Sequence, residues 1–464
     1  MLTSLYFLNP GKQWPPPEEA ERLKLYEQNK DLFKGRHERV FKNWVKLLRE
    51  DEKAVLELIL NWNKRLSLLW ADLLLGEPPQ ITAGDPDSKE QLALKNLMGD
   101  EFLNVSYEVA IDVSRFGVGL LKVRHDGSKS IIEGQPPAYW FPVVNPANLK
   151  EITHQILAWV VEEIVPGVVG NKKQKVLYCE IHEKGKITYR KYKCTGDKLG
   201  SLMEPEKIQA TNIKDMLIIP VNNIVTTDTI IGMDDYSDLD AIIQELETRL
   251  AQIAKILDKH SDPNMYGPES ALTIDPLTGE TKFIAGGKFF PVDDQEKPPG
   301  YIVWEGQLEA AFKEIDVLMA QLFMLSETSA ACFGELKSGL AESGSALKRL
   351  MMAPLAKVNR IRMRFDPAMK KALRIASELE VAQSTAGAMR LENINIEWND
   401  GLPNDPVEDT QVEIQRFGAG LSSLESSVKR LYGLTGKQLQ DEIDKINAEK
   451  PQPPEVVMPG EDEE

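Results

Sequence analysis

The sequence predicts an α+β chain, a mixed body that sends out and takes back a two-helix stalk. Three observations predict it. Two apolar stripes with heptad spacing flank a short segment rich in strand and turn signals. Upstream, from about residue 104 to residue 225, the pattern is read as one of alternation, the period of strands. Downstream, a helical pattern runs from Ser345 to about Val381.

The elements follow in order. Pro17 and the acidic Glu18-Glu19 open a helix over 18–34. Residues 38–75 carry a broad apolar face through Trp44, Leu47, Leu48, Val55, Leu58, Ile59, Trp62, Leu66, Leu69 and Leu73, as one long helix or two close ones. Pro78-Pro79 ends it. A further helical period spans 86–99. Val118 to Arg124, the turn at Asp126-Gly127 and Ile131 to Glu133 predict a hairpin. Strands are expected at 155–164, 175–183 and 186–193, with turns at Pro166-Gly167 and Lys184-Gly185, and another from Ile218 to Val225.

The first stripe is Leu239, Ile243, Leu246, Leu250, Ile253 and Leu257, in alternating steps of four and three. It defines a helix from about Tyr236 to His260, stopped by Asp262-Pro263. The second stripe is Leu308, Ala311, Ile315, Leu318, Leu322 and Leu325, on a helix from about Gln307 to Ser326. Charges off the seams, such as Glu245, Glu247, Arg249, Lys255, Glu309, Lys313 and Glu314, must face water or a polar neighbour. Between the helices, 261–304 has hairpin punctuation at Asp275 to Gly279 and at Gly286-Gly287. After them, Cys332 to Lys348 is rich in Gly and Ser and cannot hold a core. The long helix from Ser345 carries Pro354 and Pro367 as expected kinks. Ile394, Ile396 and Trp398 form a short strand. Short helices over 407–449 are broken at Gly418 to Gly420 and at Gly433, and the Pro- and acid-rich 451–464 reads as a disordered tail.

Composition limits the function. The 464 residues are 42% apolar and 27% charged, with a formal net charge of −17. Conventional DNA-binding proteins are basic, because phosphate contacts supply most of their affinity. No apolar run is long enough to span a bilayer, and the first residues lack the basic start of a signal peptide. Cys179, Cys194 and Cys332 make neither a disulfide framework nor a CxxC site. Cys179 and Cys194 could pair across a hairpin, but reduced thiols are expected. Gly117-x-Gly119 lacks the third glycine of a dinucleotide site, and no GxxxxGK[ST] run marks an ATPase. The histidines show no ligand spacing. Asp234, Asp235, Asp238 and Asp240 fail the calcium-loop template and read as the acidic first turn of a helix. No catalytic, cofactor or metal residue is assigned.

One local inversion of charge stands out. Lys348, Arg349, Lys357, Arg360, Arg362, Arg364, Lys370, Lys371 and Arg374 face a single acid, Asp366, in the same run. Such a run either touches DNA or pairs with acidic faces of neighbouring subunits. The second is favoured, because a strong basic belt would brake sliding DNA.

A helix, a small insert, a second helix, a flexible loop and then Ser343-Gly344-x-Ala346-Leu347-Lys348 opening a long helix resembles the portal proteins of tailed double-stranded DNA bacteriophages, of the siphovirus type. Trp70 to Pro79, ending in Gly76-Glu77-Pro78-Pro79, is similar to that family's early helix. Phe116 to Val123 is similar to its G-x-G-x-x-K-V strand, and Gly420 to Ser426 to the start of a C-terminal helix. The combined match covers roughly residues 60–450.

The resemblance implies a wing over 1–233, stem helices over 234–260 and 305–327, a β-containing clip over 261–304 and a channel loop over 328–344. It further implies a kinked helix and C-terminal wing over 345–406 and crown helices over 407–450. Glu335, Lys337, Ser338, Gly339, Glu342, Ser343 and Gly344 would line the channel. It also implies a closed ring, most often of twelve, at one capsid vertex of the virion, assembled in the host cytoplasm. Its partners would be double-stranded DNA, the terminase large subunit, the head–tail connector, and the major capsid and scaffolding proteins, with no membrane. Such a ring is not an enzyme, and the net charge suits a channel that lets DNA slide. Two other classes compete: a Mg²⁺-dependent nuclease using Asp234, Asp235 and Asp238, and a monomeric interaction scaffold.

Overall fold

The computed structural model describes residues 1–41, 59–166, 171–261, 265–268, 273–274, 281–282, 289–292, 300–301, 308–335, 349–399, 406–434 and 436–449. Its helices are α1 (Ala20–Phe33), α2 (Trp62–Leu75), α3 (Lys89–Met98), α4 (Phe102–Phe116), α5 (Asp240–Ser261), α6 (Leu308–Leu325), α7 (Met352–Ala382), α8 (Pro406–Gly418), α9 (Leu424–Tyr432) and α10 (Gly436–Glu449). This is the mixed helix-and-strand architecture expected.

Two sheets organise the body. The smaller joins β2 (Val118–His125) to β3 (Ser130–Gln135) and, on its other edge, to β10 (Ile218–Asn222), all antiparallel. The larger is a six-stranded antiparallel sheet. It runs β4 (Trp140–Asn145), β5 (Asn148–Pro166), β6 (Asn171–Glu183), β7 (Lys186–Thr195) and β8 (Lys198–Leu202), with β9 (Lys207–Ala210) also pairing β7. The small sheet lies in the main core with α2, α4 and α7, through Trp70, Leu74, Val109, Val113, Leu121, Val123, Phe365 and Leu373. The chain start covers one face of the large sheet with Leu2, Phe7, Leu8 and Trp14. Tyr26, Phe116, Leu120, Trp140 and Leu157 form a third cluster that spans both sheets. One further short strand, β1 (Gln80–Thr82), pairs antiparallel with β16 (Asn395–Glu397).

Several expectations need correction. Residues 102–116 are helical, and alternation begins only at Val118. Val105, Val109, Ile111 and Val113 favour strands in isolation, but Phe102, Ser106, Val109, Ala110, Val113 and Phe116 are buried on a helical period. Gly117 then ends α4 at φ 76°. A Cβ there would lie 2.1 Å from the Gly232 carbonyl oxygen, and one on Gly119 would lie 2.6 Å from that of Val109. The G-x-G pair thus serves close backbone packing, where only glycine fits.

The helical face expected over 38–75 is interrupted: His37–Arg39 is a 3₁₀ turn, and α2 begins at Trp62 behind an Asn61 cap. Residues 42–58 lie outside the described residues. Pro354 falls in the first turn of α7, where its missing N–H costs nothing, so the helix bounds at Met351 rather than bending there; Pro367 sits inside the helix. Cys179 is buried opposite Arg190, not Cys194, and all three cysteines are free thiols.

Of the insert, the described residues are the strand pieces β11 (Met265–Pro268), β12 (Thr273–Ile274), β13 (Thr281–Lys282), β14 (Phe289–Val292) and β15 (Gly300–Tyr301). β11 pairs with β14 in parallel and with β15 antiparallel.

Candidate functional site

The stalk and its root hold most of the residues singled out in the sequence. α5 and α6 pack on each other at the root. Leu239, Ile243, Leu246 and Leu322 are buried together with Leu32, Phe41, Leu66 and Tyr236, and Ile315, Leu318 and Met319 pack partly buried against them. Ile253 is also buried, while Leu250 and Leu308 are half-buried. Leu257 is an exception. It is 52% exposed, so it does not close the intrachain seam. Phe312, Val317, Met324 and Leu325 on α6 are exposed as well.

Polar contacts fix the helix start. Asp234 accepts hydrogen bonds from the Tyr236 and Ser237 amides at 2.9 and 2.8 Å, which satisfies donors just ahead of α5. The Tyr236 hydroxyl lies 2.7 Å from Ser67 Oγ on α2, and Ser67 Oγ donates to Ser114 Oγ of α4 at 3.1 Å. Burial pushes the Tyr236 hydroxyl pKa well above its ordinary value. Asp235 accepts from Lys357 Nζ and from Asn223 Nδ2, both at 2.9 Å. The Lys357 ammonium also sits 4.4 Å from the centre of the Trp70 ring. Both members of this ion pair are nearly withdrawn from water, with side chains 6% and 5% exposed. It ties the long helix α7 to the base of the stalk.

A second buried contact was missed at the sequence level. Glu247 is fully buried and meets His37 Nδ1 at 2.7 Å, while its carboxylate accepts from the Leu60 amide at 2.9 Å. The signal was present: Glu247 follows Ile243 by four and precedes Leu250 by three, which places it beside the seam, next to Leu246, on the same helix face. It has the polar neighbour the sequence required, but inside the core. Burial, then the nearby Asp234 charge, pushes the Asp240 carboxyl up to about 7. Arg249 bridges α5 and α6 farther out, with Glu245 at 2.8 Å and Glu314 at 3.1 Å.

The chain leaving α6 does not enter a free loop at once. Thr328 is buried, and Ser326 Oγ donates to the Leu322 carbonyl at 2.6 Å. Residues 330–333 make a 3₁₀ turn. Phe333 lies 4.9 Å from Trp62, ring centre to ring centre, and Cys332 packs against the main core. The first residues of the Gly- and Ser-rich run thus pack on a core built by other elements. Glu335 is exposed; Lys337, Ser338, Gly339, Glu342, Ser343, Gly344 and Lys348 lie outside the described residues.

The basic run is spent largely within the chain. Lys357 pairs with Asp235, Arg360 with Glu327 at 2.5 Å, Lys370 with Asp366 at 2.7 Å, and Arg374 with Asp215 and Glu378 at 2.9 and 2.8 Å. Arg362 donates to the Asn399 carbonyl and stacks over Trp398 at 5.6 Å. Within the single chain its partners are acids and carbonyls of the same subunit. Arg349 and Arg364 are exposed and have no ion pair among the described residues. Glu327, Arg360's partner, holds φ at 58°, a region that favours glycine.

Asp234, Asp235 and Asp238 do not converge. The first caps backbone amides, the second is taken by Lys357, and the third is exposed. Among the described residues no cluster of His, Cys, Asp and Glu is placed to hold a metal ion. None of the described helices is long and apolar enough to cross a membrane.

The described residues form a two-sheet body packed with helices, with the pair α5 and α6 separated in sequence by short paired strands. The chain belongs to the family of phage portal proteins, SPP1 Gp6-like, whose family model matches residues 15–453 of the 464. No curated protein matches the chain. The family gives it a phage portal role at the capsid vertex, a structural rather than catalytic one.

Proposed function

We propose that the chain assembles head-to-tail into a closed ring, of twelve copies, whose central channel passes DNA during packaging and ejection. The carrying observation is apolar surface that α5 and α6 leave uncovered. Their shared seam is filled from within the chain, whereas Leu257, Phe312 and Val317 farther out, and Met324 and Leu325 next to Leu322, present apolar side chains to solvent. A heterologous contact between copies gives those side chains a place, and rotation closes the ring. In this assignment 261–304 is the clip that docks the terminase large subunit and later the head–tail connector. The span beyond Glu335 to Gly344 lines the channel, with 407–450 as the crown. Glu335 and Glu342 keep phosphate from adhering, and Lys337 offers brief attraction. Exposed charges interact by only about 1 kcal/mol at 4 Å in water, so contacts form and break thermally.

The test is solution mass and negative-stain imaging of the purified chain. Rings of about twelve subunits are expected. Leu257→Asp together with Val317→Asp should give a folded monomer. A wild-type monomer at micromolar concentration in mild salt, or rings indifferent to both substitutions, would overturn the assignment.

A further inference from the structure

We propose that the open face of the six-stranded sheet is a docking groove for the chain's own proline-rich, acidic C-terminal tail, residues 450–464, from the same or a neighbouring subunit. The groove has a volume of about 300 Å³, and Trp159, Tyr178, Tyr189, Arg190, Lys191 and Pro205 line it. Its floor is a row of rings. Trp159 on β5 is in register with Tyr178 on β6, which is in register with Lys191 on β7. The Trp159 and Tyr178 rings stack at 6.0 Å with 10° between planes, and Tyr139 extends the row at 6.2 Å from Trp159. Lys191 Nζ lies 4.9 Å from the Tyr178 ring centre. Trp159, Tyr178 and Tyr139 all keep part of their surface open to solvent.

Rows of aromatic rings recognise polyproline II segments, because flat prolines stack on them and the extended helix is already ordered. The tail has the matching chemistry, Lys450-Pro451-Gln452-Pro453-Pro454-Glu455, ending in Glu461-Asp462-Glu463-Glu464. In polyproline II, Pro451 and Pro454 fall on one face about 9 Å apart, within the span of the ring row. Glu204 and Pro205 form one wall of the groove, and the adjoining Glu206 pairs with Arg190 at 2.9 Å. Beside that wall, Met203 is exposed and offers apolar surface to Val456, Val457 and Met458. The tail follows directly on α10, which ends at Glu449, and fully extended it reaches about 45 Å. A nucleic-acid strand fits less well. It would carry a phosphate at every step past Glu163, Glu180 and Glu204, whereas the tail confines its carboxylates to Glu455 and its last four residues.

The test uses the full chain with the photo-crosslinking residue p-benzoylphenylalanine in place of Val457. On irradiation, crosslinks should map to β5, β6, β7 or residues 203–207. Pro451→Ala with Pro454→Ala should lower their yield about tenfold, the loss expected when stacking anchors are removed. These tail substitutions leave the body untouched, so they decide the matter even if Trp159→Ala with Tyr178→Ala fails to fold. Trp159→Phe with Tyr178→Phe should retain most of the yield. Crosslinks that scatter over other surfaces, or that ignore the proline substitutions, would overturn the proposal. So would removal of the crosslink by a single-stranded oligonucleotide but not by a free peptide of residues 450–464, which would assign the groove to nucleic acid.

Discussion

The root of the stalk and its outer half carry one continuous heptad pattern, yet they are physically different. At the root, Leu246 is 1% exposed and its neighbour Glu247 is fully buried against His37. Farther along the same helix, Leu257 is 52% exposed, and the charges that join the helices, Arg249, Glu245 and Glu314, stay partly in water. A heptad repeat states that a partner is needed; it does not state which chain supplies it. The root is completed by α1, α2 and α6 of the same chain. The outer half has apolar surface left over.

Substitutions can break this contrast at several strengths. The largest effect is expected from Lys357→Ala at the root. It leaves Asp235 buried without its cation, which costs about 3–5 kcal/mol. Chemical denaturation should show that loss in the subunit itself, with the midpoint falling at constant m value.

A paired comparison sharpens the contrast. Leu246→Ala removes a buried side chain and should destabilise the fold by about 2–5 kcal/mol. Leu257→Ala, at the other apolar position of the same seam farther out, should change subunit stability by under about 0.5 kcal/mol. Equal losses at the two sites would show that the outer half is also completed within the chain.

The smallest effect is a dependence on pH at the head of α5. Asp240 has its pKa raised to about 7 in the folded chain, against about 4 when unfolded. The folded state therefore keeps a proton that the unfolded state releases. Its contribution to stability is full below about pH 4 and is lost as pH rises to about 7. Asp240→Asn should remove that loss, by about 1 kcal/mol once its contact with water is considered. Thermal melts from pH 4 to 8 would reveal it as a flatter profile, and parallel profiles for the two proteins would count against it.

Much of this was legible in the sequence. Stripes of leucine and isoleucine located α5 and α6 to within a few residues, because helical period and capping residues act locally. The hairpin β2–β3 was legible from Asp126-Gly127 for the same reason. The helix over 102–116 was not, because valines that favour strands alone were overruled by packing on α2 and β2. Nor were the polar ties of the root. His37 and Glu247 stand 210 positions apart, and Asp235 and Lys357 stand 122 apart. Nothing local in a single sequence marks such pairs. The basic run was plain in composition, but its partners within the chain, Glu327, Asp215 and the carbonyl of Asn399, come from elsewhere in the fold.

The buried ties at the root make α5 a lever. A helix of 22 residues is about 33 Å long at the usual rise, so a tilt of about 5° at its base carries its far end about 3 Å. Apolar side chains can slide past one another with little directional cost, but Glu247 on His37 and Asp235 on Lys357 hold only over a narrow range of angle and distance. The fulcrum is therefore stiff where the arm is long. A push at the outer end would reach α7 through Lys357 as a turning force, instead of being absorbed at the joint.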